Sequence, residues 1–146
     1  MPSFHIALHA RPAGDWEEHR ISVEGFELVR LKLPPESLVA PLPISFESAV
    51  SRLAVLRRMF VEPDGSLVWV SDSRAEASWQ IDGELFDCGG QLQYVELRGS
   101  CTAAAFEQLT SVFRTSDSAF VIQLLRHAVF ISETEFRRFA FGRDTY

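Results

Sequence analysis

Apolar residues recur at every second position in several short segments, and this period constrains the fold more than any other feature. Phe4, Ile6 and Leu8 occupy alternate positions, with histidines at positions 5 and 9 beside them. Successive side chains of a strand point to opposite faces, so this pattern predicts a strand with one buried face. Residues 21–33 also alternate, but the phase shifts at Gly25. A glycine at such a shift indicates a tight turn or a bulge, so either two short strands or one long bulged strand is expected.

A helical period appears at three other places. Ser45 can cap a helix whose apolar face would extend from Phe46 to Phe60. Either Ser100 or Thr102 can cap a second helix, and Ser132-Glu133-Thr134-Glu135 is a capping box before a short third helix. Between the first strands and the first helix, four prolines within residues 34–43 predict a loop.

The middle third of the chain has the turn residues of an antiparallel meander. Glu62-Pro63-Asp64-Gly65 predicts a turn, because proline presets φ and glycine accepts a positive φ. Asp82-Gly83 predicts a tight two-residue hairpin of type I′. Cys88-Gly89-Gly90 predicts the next turn, and the strand that follows it should end near Gly99.

These elements together predict one α+β domain over residues 1–146, with a largely antiparallel sheet, a central meander, two main helices and a short C-terminal helix. The unit formed by residues 91–125 is β-α-β, so its two strands are expected to run parallel with a right-handed crossover. The predicted core comprises Phe46, Val50, Leu53, Trp79, Phe106, Leu109, Phe113, Val121 and Ile122.

Composition narrows the classes of partner and compartment. The net charge of −6 argues against binding nucleic acid, for which lysine and arginine supply most of the affinity. No apolar run approaches the roughly 18 residues of a membrane span, and no signal-peptide pattern is present. Two cysteines are too few for a secreted disulfide framework, so a cytoplasmic protein is expected. No motif indicates a cofactor.

Cys101 is the strongest candidate for a reactive group. It falls in the predicted first turn of the second helix, where free amides and the helix dipole lower the pKa of a thiol. His127 is the only histidine in the second half of the chain that could serve as its base. A buried thiol packed beneath the helix is the structural alternative, because free cysteine is among the most buried residue types. We expect the structural role.

Other polar groups have structural explanations. His5 and His9 would lie about 13 Å apart on a strand, at ~3.3 Å per residue, so they cannot share a metal ion and no metal site is expected. A group of carboxylates falls in the meander, with Asp82 expected in a turn and the rest on a solvated strand face: Asp82, Glu84, Asp87 and Glu96. Near the C-terminus Phe139 and Phe141 are interleaved with three arginines, as expected for an amphipathic helix with phenylalanines inside and arginines outside: Arg137, Arg138 and Arg143.

Two functions are compatible with these features. The first is a non-catalytic binding or assembly module, which would associate as a homodimer or with an unidentified protein or small molecule, and the aromatic content of 12% favours it. Trp69, Trp79 and Tyr94 fall on neighbouring predicted strands, and they would form a binding platform if they shared an exposed face or core if they shared the buried one. The second is a small thiol-dependent enzyme that uses Cys101 as its nucleophile.

Overall fold

In the part of the chain that the structure describes, nine strands form a single antiparallel sheet and three α-helices pack against it. The computed structural model describes residues 1–115 and 119–142. The strands lie in the order β2-β3-β9-β8-β1-β7-β6-β5-β4. The predicted α+β class and largely antiparallel sheet are therefore confirmed. The elements are β1 (Phe4–Ala10), β2 (Glu18–Val23), β3 (Phe26–Leu31), α1 (Phe46–Leu53), β4 (Met59–Val61), β5 (Ser66–Val70), β6 (Gln80–Cys88), β7 (Gln91–Ser100), α2 (Ala103–Phe113), β8 (Phe120–Leu124), β9 (Val129–Ser132) and α3 (Glu133–Phe141).

The first strand lies in the middle of the sheet. β1 pairs antiparallel with β7 on one side and with β8 on the other. The two strands that flank α2 therefore run parallel, as expected, but β1 lies between them. This arrangement brings the N-terminal segment into contact with strands from the second half of the chain.

Side-chain caps begin all three helices. The hydroxyls of Ser45, Thr102 and Ser132 each accept a hydrogen bond from the backbone N–H three residues later, at 3.1 Å. The prediction that α1 continues to Phe60 is wrong, because the helix ends at Leu53. The chain then turns and re-enters the sheet as β4, where strand alternation buries Met59 and leaves Phe60 62% exposed.

The predicted hairpin at Asp82-Gly83 is also wrong. Both residues lie inside β6, which continues unbroken to Cys88. A Cβ on Gly83 would lie 2.9 Å from the carbonyl oxygen of Glu96, so glycine is needed there for the close approach of two strands rather than for a turn. The β6–β7 hairpin instead turns at Gly89 and Gly90, with φ of 60° and 86°, where the sequence also predicts a turn.

Apolar clusters lie on both faces of the sheet. The larger one packs the helices against the sheet and contains Leu53, Phe106, Leu109, Phe113 and Ile122 from the predicted core. Phe46, Val50 and Trp79 lie at its margin and are only half-buried. The smaller cluster, on the opposite face, contains Leu31, Leu33, Val121 and Phe130, and Trp16 and Leu38 pack against it. Val121 thus lies on the other side of the sheet from the rest of the predicted core.

The proline-rich loop connects these two clusters. Leu38 packs against the smaller cluster, whereas Leu42 is buried in the larger one. Between Leu38 and Leu42 the loop passes the beginning of β7, where the N–H of Leu42 donates to the carbonyl of Leu92 at 2.8 Å. The side-chain amide of Gln93 donates to the carbonyl of Val39 at 3.3 Å. The loop thus lies beside the first residues of β7, beyond His9, which is the last residue of β1 that pairs with β7.

Candidate functional site

One region of the sheet is left without a covering layer among the described residues. The helices cover one face, and the smaller cluster covers β3, β9 and β8 on the other. No apolar cluster forms beyond that cluster, over the same side of β1, β7, β6 and β5, in residues 1–115 and 119–142. We call this surface the open face. The strand registers place these side chains on it: His5, His9, Val68, Val70, Asp82, Glu84, Phe86, Tyr94, Glu96 and Arg98.

Three stacked rings cross the open face from β1 to β6. Tyr94 stacks on Phe86 with ring centroids 4.5 Å apart and an interplanar angle of 14°. His9 stacks on the other side of Tyr94 at 5.1 Å and 24°. Phe130 of the smaller cluster meets the His9 ring at 67°. Because both faces of the central ring are covered, the aromatic strip formed by His9, Tyr94 and Phe86 is held in place by packing.

The imidazole of His9 is a neutral member of this strip. Burial lowers the pKa of His9, and a hydrogen bond with the Gln123 side chain only partly offsets that effect. Its Nε2 atom is inaccessible to solvent and has no hydrogen-bond partner in the described part of the chain. The strip therefore presents a largely apolar surface at neutral pH.

A charged cavity lies beside the aromatic strip. Its volume is about 140 Å³ and it is lined by Asp82, Gly83, Glu84, Glu96 and Arg98. Glu84 stands directly opposite Glu96 on the neighbouring strand, and Asp82 stands opposite Arg98. Carboxylates thus outnumber the single arginine, and the cavity is negatively charged.

Two further side chains, His5 and Tyr94, lie next to the cavity. The Nε2 atom of His5 lies 2.6 Å from Oε1 of Glu96, so the imidazole holds one of the two carboxylate oxygens. Burial raises the pKa of Tyr94, and the negative charges of Glu96 and Glu84 raise it further. The Tyr94 hydroxyl is therefore protonated at neutral pH and can donate a hydrogen bond at the border between the strip and the cavity.

The three aromatic residues singled out in the sequence do not share a face. Trp69 belongs to the large core, where its Nε1–H donates to the carbonyl of Arg57 at 2.9 Å. Trp79 packs against Trp69 edge to face, with centroids 5.0 Å apart. Only Tyr94 lies on the open face, and its ring neighbours there are Phe86 and His9. Sequence reasoning missed both, because their stacking depends on the register of three strands.

Cys101 and His127 do not form a reactive pair. Thr102 is the N-cap of α2, so Cys101 precedes the helix and does not lie in its first turn, where the sequence predicts it. Cys101 is fully buried, and burial raises the pKa of its thiol to about 12. His127 is exposed in the β8–β9 turn. Cys88 is exposed, and both thiols are free.

The arginines of the C-terminal helix are paired with carboxylates. Arg137 forms ion pairs with Glu107 and Glu133, and Arg138 pairs with Glu135. Arg143 lies outside the described residues. No three His, Cys, Asp or Glu side chains of the described segments come together as ligands for a metal ion.

None of the helices in the described segments has the length and apolar character to cross a membrane. No protein-family model, no curated protein and no solved structure matches the chain.

Proposed function

We propose that this protein is a non-catalytic binding module that contacts its partner through the open face. The observation that carries the proposal is the aromatic strip of His9, Tyr94 and Phe86, which lies beside a charged cavity on a part of the sheet that no other described element covers. Aromatic side chains dominate the energetics of protein interfaces, especially where packing holds them in place before binding.

The position of the strip defines how a partner would bind. β1, β7 and β6 are interior strands, so their backbone hydrogen bonds are already made within the sheet. A partner would therefore lie across side chains and would not add a strand. An antiparallel sheet can also leave one face to water, but an ordinary solvated face is polar and does not need stacked rings.

The alternative function, a thiol-dependent enzyme, has less support. A nucleophilic thiol has to be accessible and partly ionised. Cys101 is sealed in the core and its pKa is raised. The presence of two free thiols also fits a reducing compartment, so we propose that the protein acts in the cytoplasm.

Affinity capture from a cell extract with matched variants tests the proposal. The immobilised protein is compared with Phe86→Ala, which shortens the strip, and with Val55→Ser, which alters a residue that is 82% exposed after α1. We expect a protein that the wild type and Val55→Ser retain and that Phe86→Ala loses. Identical captured sets for all three, with circular dichroism showing them equally folded, would contradict a role for the open face.

We also propose that the protein forms a homodimer through the outer edge of β4. Within the described residues β4 pairs with β5 alone, so it is an edge strand, and it carries the exposed ring of Phe60. Edge strands pair readily unless they are covered or charged. Light scattering should report a dimer that Phe60→Ser converts to a monomer, with Val39→Ser as the control, and a monomeric wild type at high concentration would refute the idea.

A further inference from the structure

We propose that the partner of the open face is a basic protein segment, which inserts an arginine or lysine side chain between Glu84 and Glu96 and lays a neighbouring side chain on Phe86. The inference rests on the proposed binding function and adds the chemistry of the partner. Its support comes from the excess of carboxylates in the cavity, from the unpaired side chain of Glu84 in the described part of the chain, and from the poor fit of other occupants.

The facing pair Glu84 and Glu96 is unfavourable for the isolated sheet. Like charges directly opposite each other on antiparallel strands destabilise the pairing. His5 contacts Oε1 of Glu96, but the side chain of Glu84 makes no hydrogen bond or ion pair within the described part of the chain. A cation between the two carboxylates would turn this repulsion into two attractive contacts.

The cavity has the size and lining for an organic cation. About 140 Å³ is enough for the head of an arginine or lysine side chain, and Asp82 extends the negative charge along β6. Arg98 stands opposite Asp82 and would repel a cation from that end of the cavity. The favourable position is therefore the end formed by Glu84 and Glu96, which is also the end next to Tyr94.

The aromatic strip provides the second contact. Phe86 ends the stack and has one ring neighbour among the described aromatic residues, Tyr94. Its other ring face can receive a guanidinium plane or the methylene groups of a lysine, both of which pack favourably on aromatic rings. A chain with basic residues spaced along it would thus contact the cavity and the ring together.

A nucleic acid, a second copy of the protein and a metal ion fit this face less well. Phosphate groups of a nucleic acid would meet Glu84 and Glu96 and be repelled. A second copy placed symmetrically on the same face would bring two such glutamate pairs together. A metal ion needs converging ligands, and the described residues offer no group of three. A basic protein segment is the occupant that complements both the charge and the rings.

NMR titration of the ¹⁵N-labelled protein tests the inference with defined probes. The first probe is a synthetic peptide of Arg-Gly-Ser repeats, and the second is the same peptide with citrulline in place of arginine. We expect the arginine peptide to shift amides of β6 and β7 around Glu84 and Glu96, and to bind more weakly as salt is added. The citrulline peptide should leave those amides unchanged.

Matched variants identify the carboxylates. Glu84→Gln and Glu96→Gln keep the shape of the side chain, and each should weaken binding of the arginine peptide about tenfold. Glu76→Gln, on the exposed β5–β6 loop, is the control and should bind as the wild type does. Equal binding of the arginine and citrulline peptides, or wild-type affinity in both glutamine variants, would overturn the inference.

The outcomes separate this inference from the proposed function. If the extract experiment yields a protein that depends on Phe86 while the arginine peptide does not bind, the basic partner is wrong and the binding function stands. If the peptide binds elsewhere on the protein and no captured protein depends on Phe86, both are wrong.

Discussion

Replacing Glu133 with alanine tests how strongly a cluster of charges holds α2 and α3 together. Oε2 of Glu133 accepts hydrogen bonds from Nη2 of Arg114 at 2.6 Å and from Nη2 and Nε of Arg137 at 2.8 and 3.1 Å. Arg137 also reaches Glu107 on α2 at 2.7 Å. One carboxylate therefore links the end of α2 to the start of α3.

The expected loss follows from the partial burial of this cluster. The side chain of Glu133 is 19% exposed, and those of Arg114 and Arg137 are 29% and 28% exposed. Exposed ion pairs contribute at most about 1 kcal/mol, whereas breaking a fully buried pair costs about 3–5 kcal/mol. Each arginine also packs on a phenylalanine ring and would remain anchored. We therefore expect Glu133→Ala to lower the free energy of unfolding by about 2 kcal/mol, and the melting temperature by roughly 4–8 °C.

Urea unfolding at several pH values is the assay. Burial by itself would raise the pKa of Glu133, but the hydrogen bonds and charges of Arg114 and Arg137 outweigh it, so the pKa lies below its ordinary 4.5. The stabilisation by Glu133 is therefore complete above pH 4.5 and is lost as the pH falls through the lowered pKa. Glu76→Ala, on an exposed loop, is the control. A loss below about 0.5 kcal/mol, within the range of ordinary surface substitutions, would refute the reasoning. So would a loss that does not shrink on acidification.

Three further predictions concern backbone space, thiol access and imidazole titration. Gly99→Ala should lower the free energy of unfolding in urea by more than about 3 kcal/mol, because φ is 136° and the new Cβ would collide with the carbonyl oxygen of Gln80. A variant with near-native stability would contradict this prediction. Iodoacetamide should modify Cys88 in the native protein and Cys101 only after unfolding, as mass spectrometry of the digested protein would report. Since the pKa of His9 is lowered by burial, stability should fall as the pH drops from 6.5 toward that lowered pKa, and His9→Gln should reduce this slope; equal slopes would argue against it.

Local chemistry makes much of the fold predictable. The caps at Ser45, Thr102 and Ser132 depend on one hydroxyl and the backbone beside it, so a few residues of sequence are sufficient to indicate them. The turn at Gly89 and Gly90 is equally local, because both residues have a positive φ. These predictions succeed since they do not require knowledge of distant parts of the chain.

The errors arise where distant strands decide the outcome. From its neighbours in sequence, Gly83 is predicted to lie in a turn. In the structure β7 lies beside it, and the lack of a side chain at Gly83 allows the two strands to approach closely. The open face could not be predicted for the same reason, because it depends on distant strands: its contact between His5 and Glu96 joins residues 91 positions apart. Tyr94 can be singled out by its residue type, but its stacking partners require the register of β1 and β6.

The central position of β1 has a consequence for how the chain folds as it is synthesised. β1 is synthesised before the other strands of the sheet, yet both of its partners, β7 and β8, come from the second half of this sequence. The meander of β4, β5, β6 and β7 can pair as soon as it emerges, because its contacts are local. β1 remains unpaired, with its apolar side chains exposed, until β7 has been synthesised. The sheet is complete only after β9, which joins the β2–β3 hairpin to β8. Such non-local pairing is slow, and an unpaired strand is prone to aggregation. The yield of folded protein during expression should therefore depend on how quickly the second half of the chain is synthesised after the first.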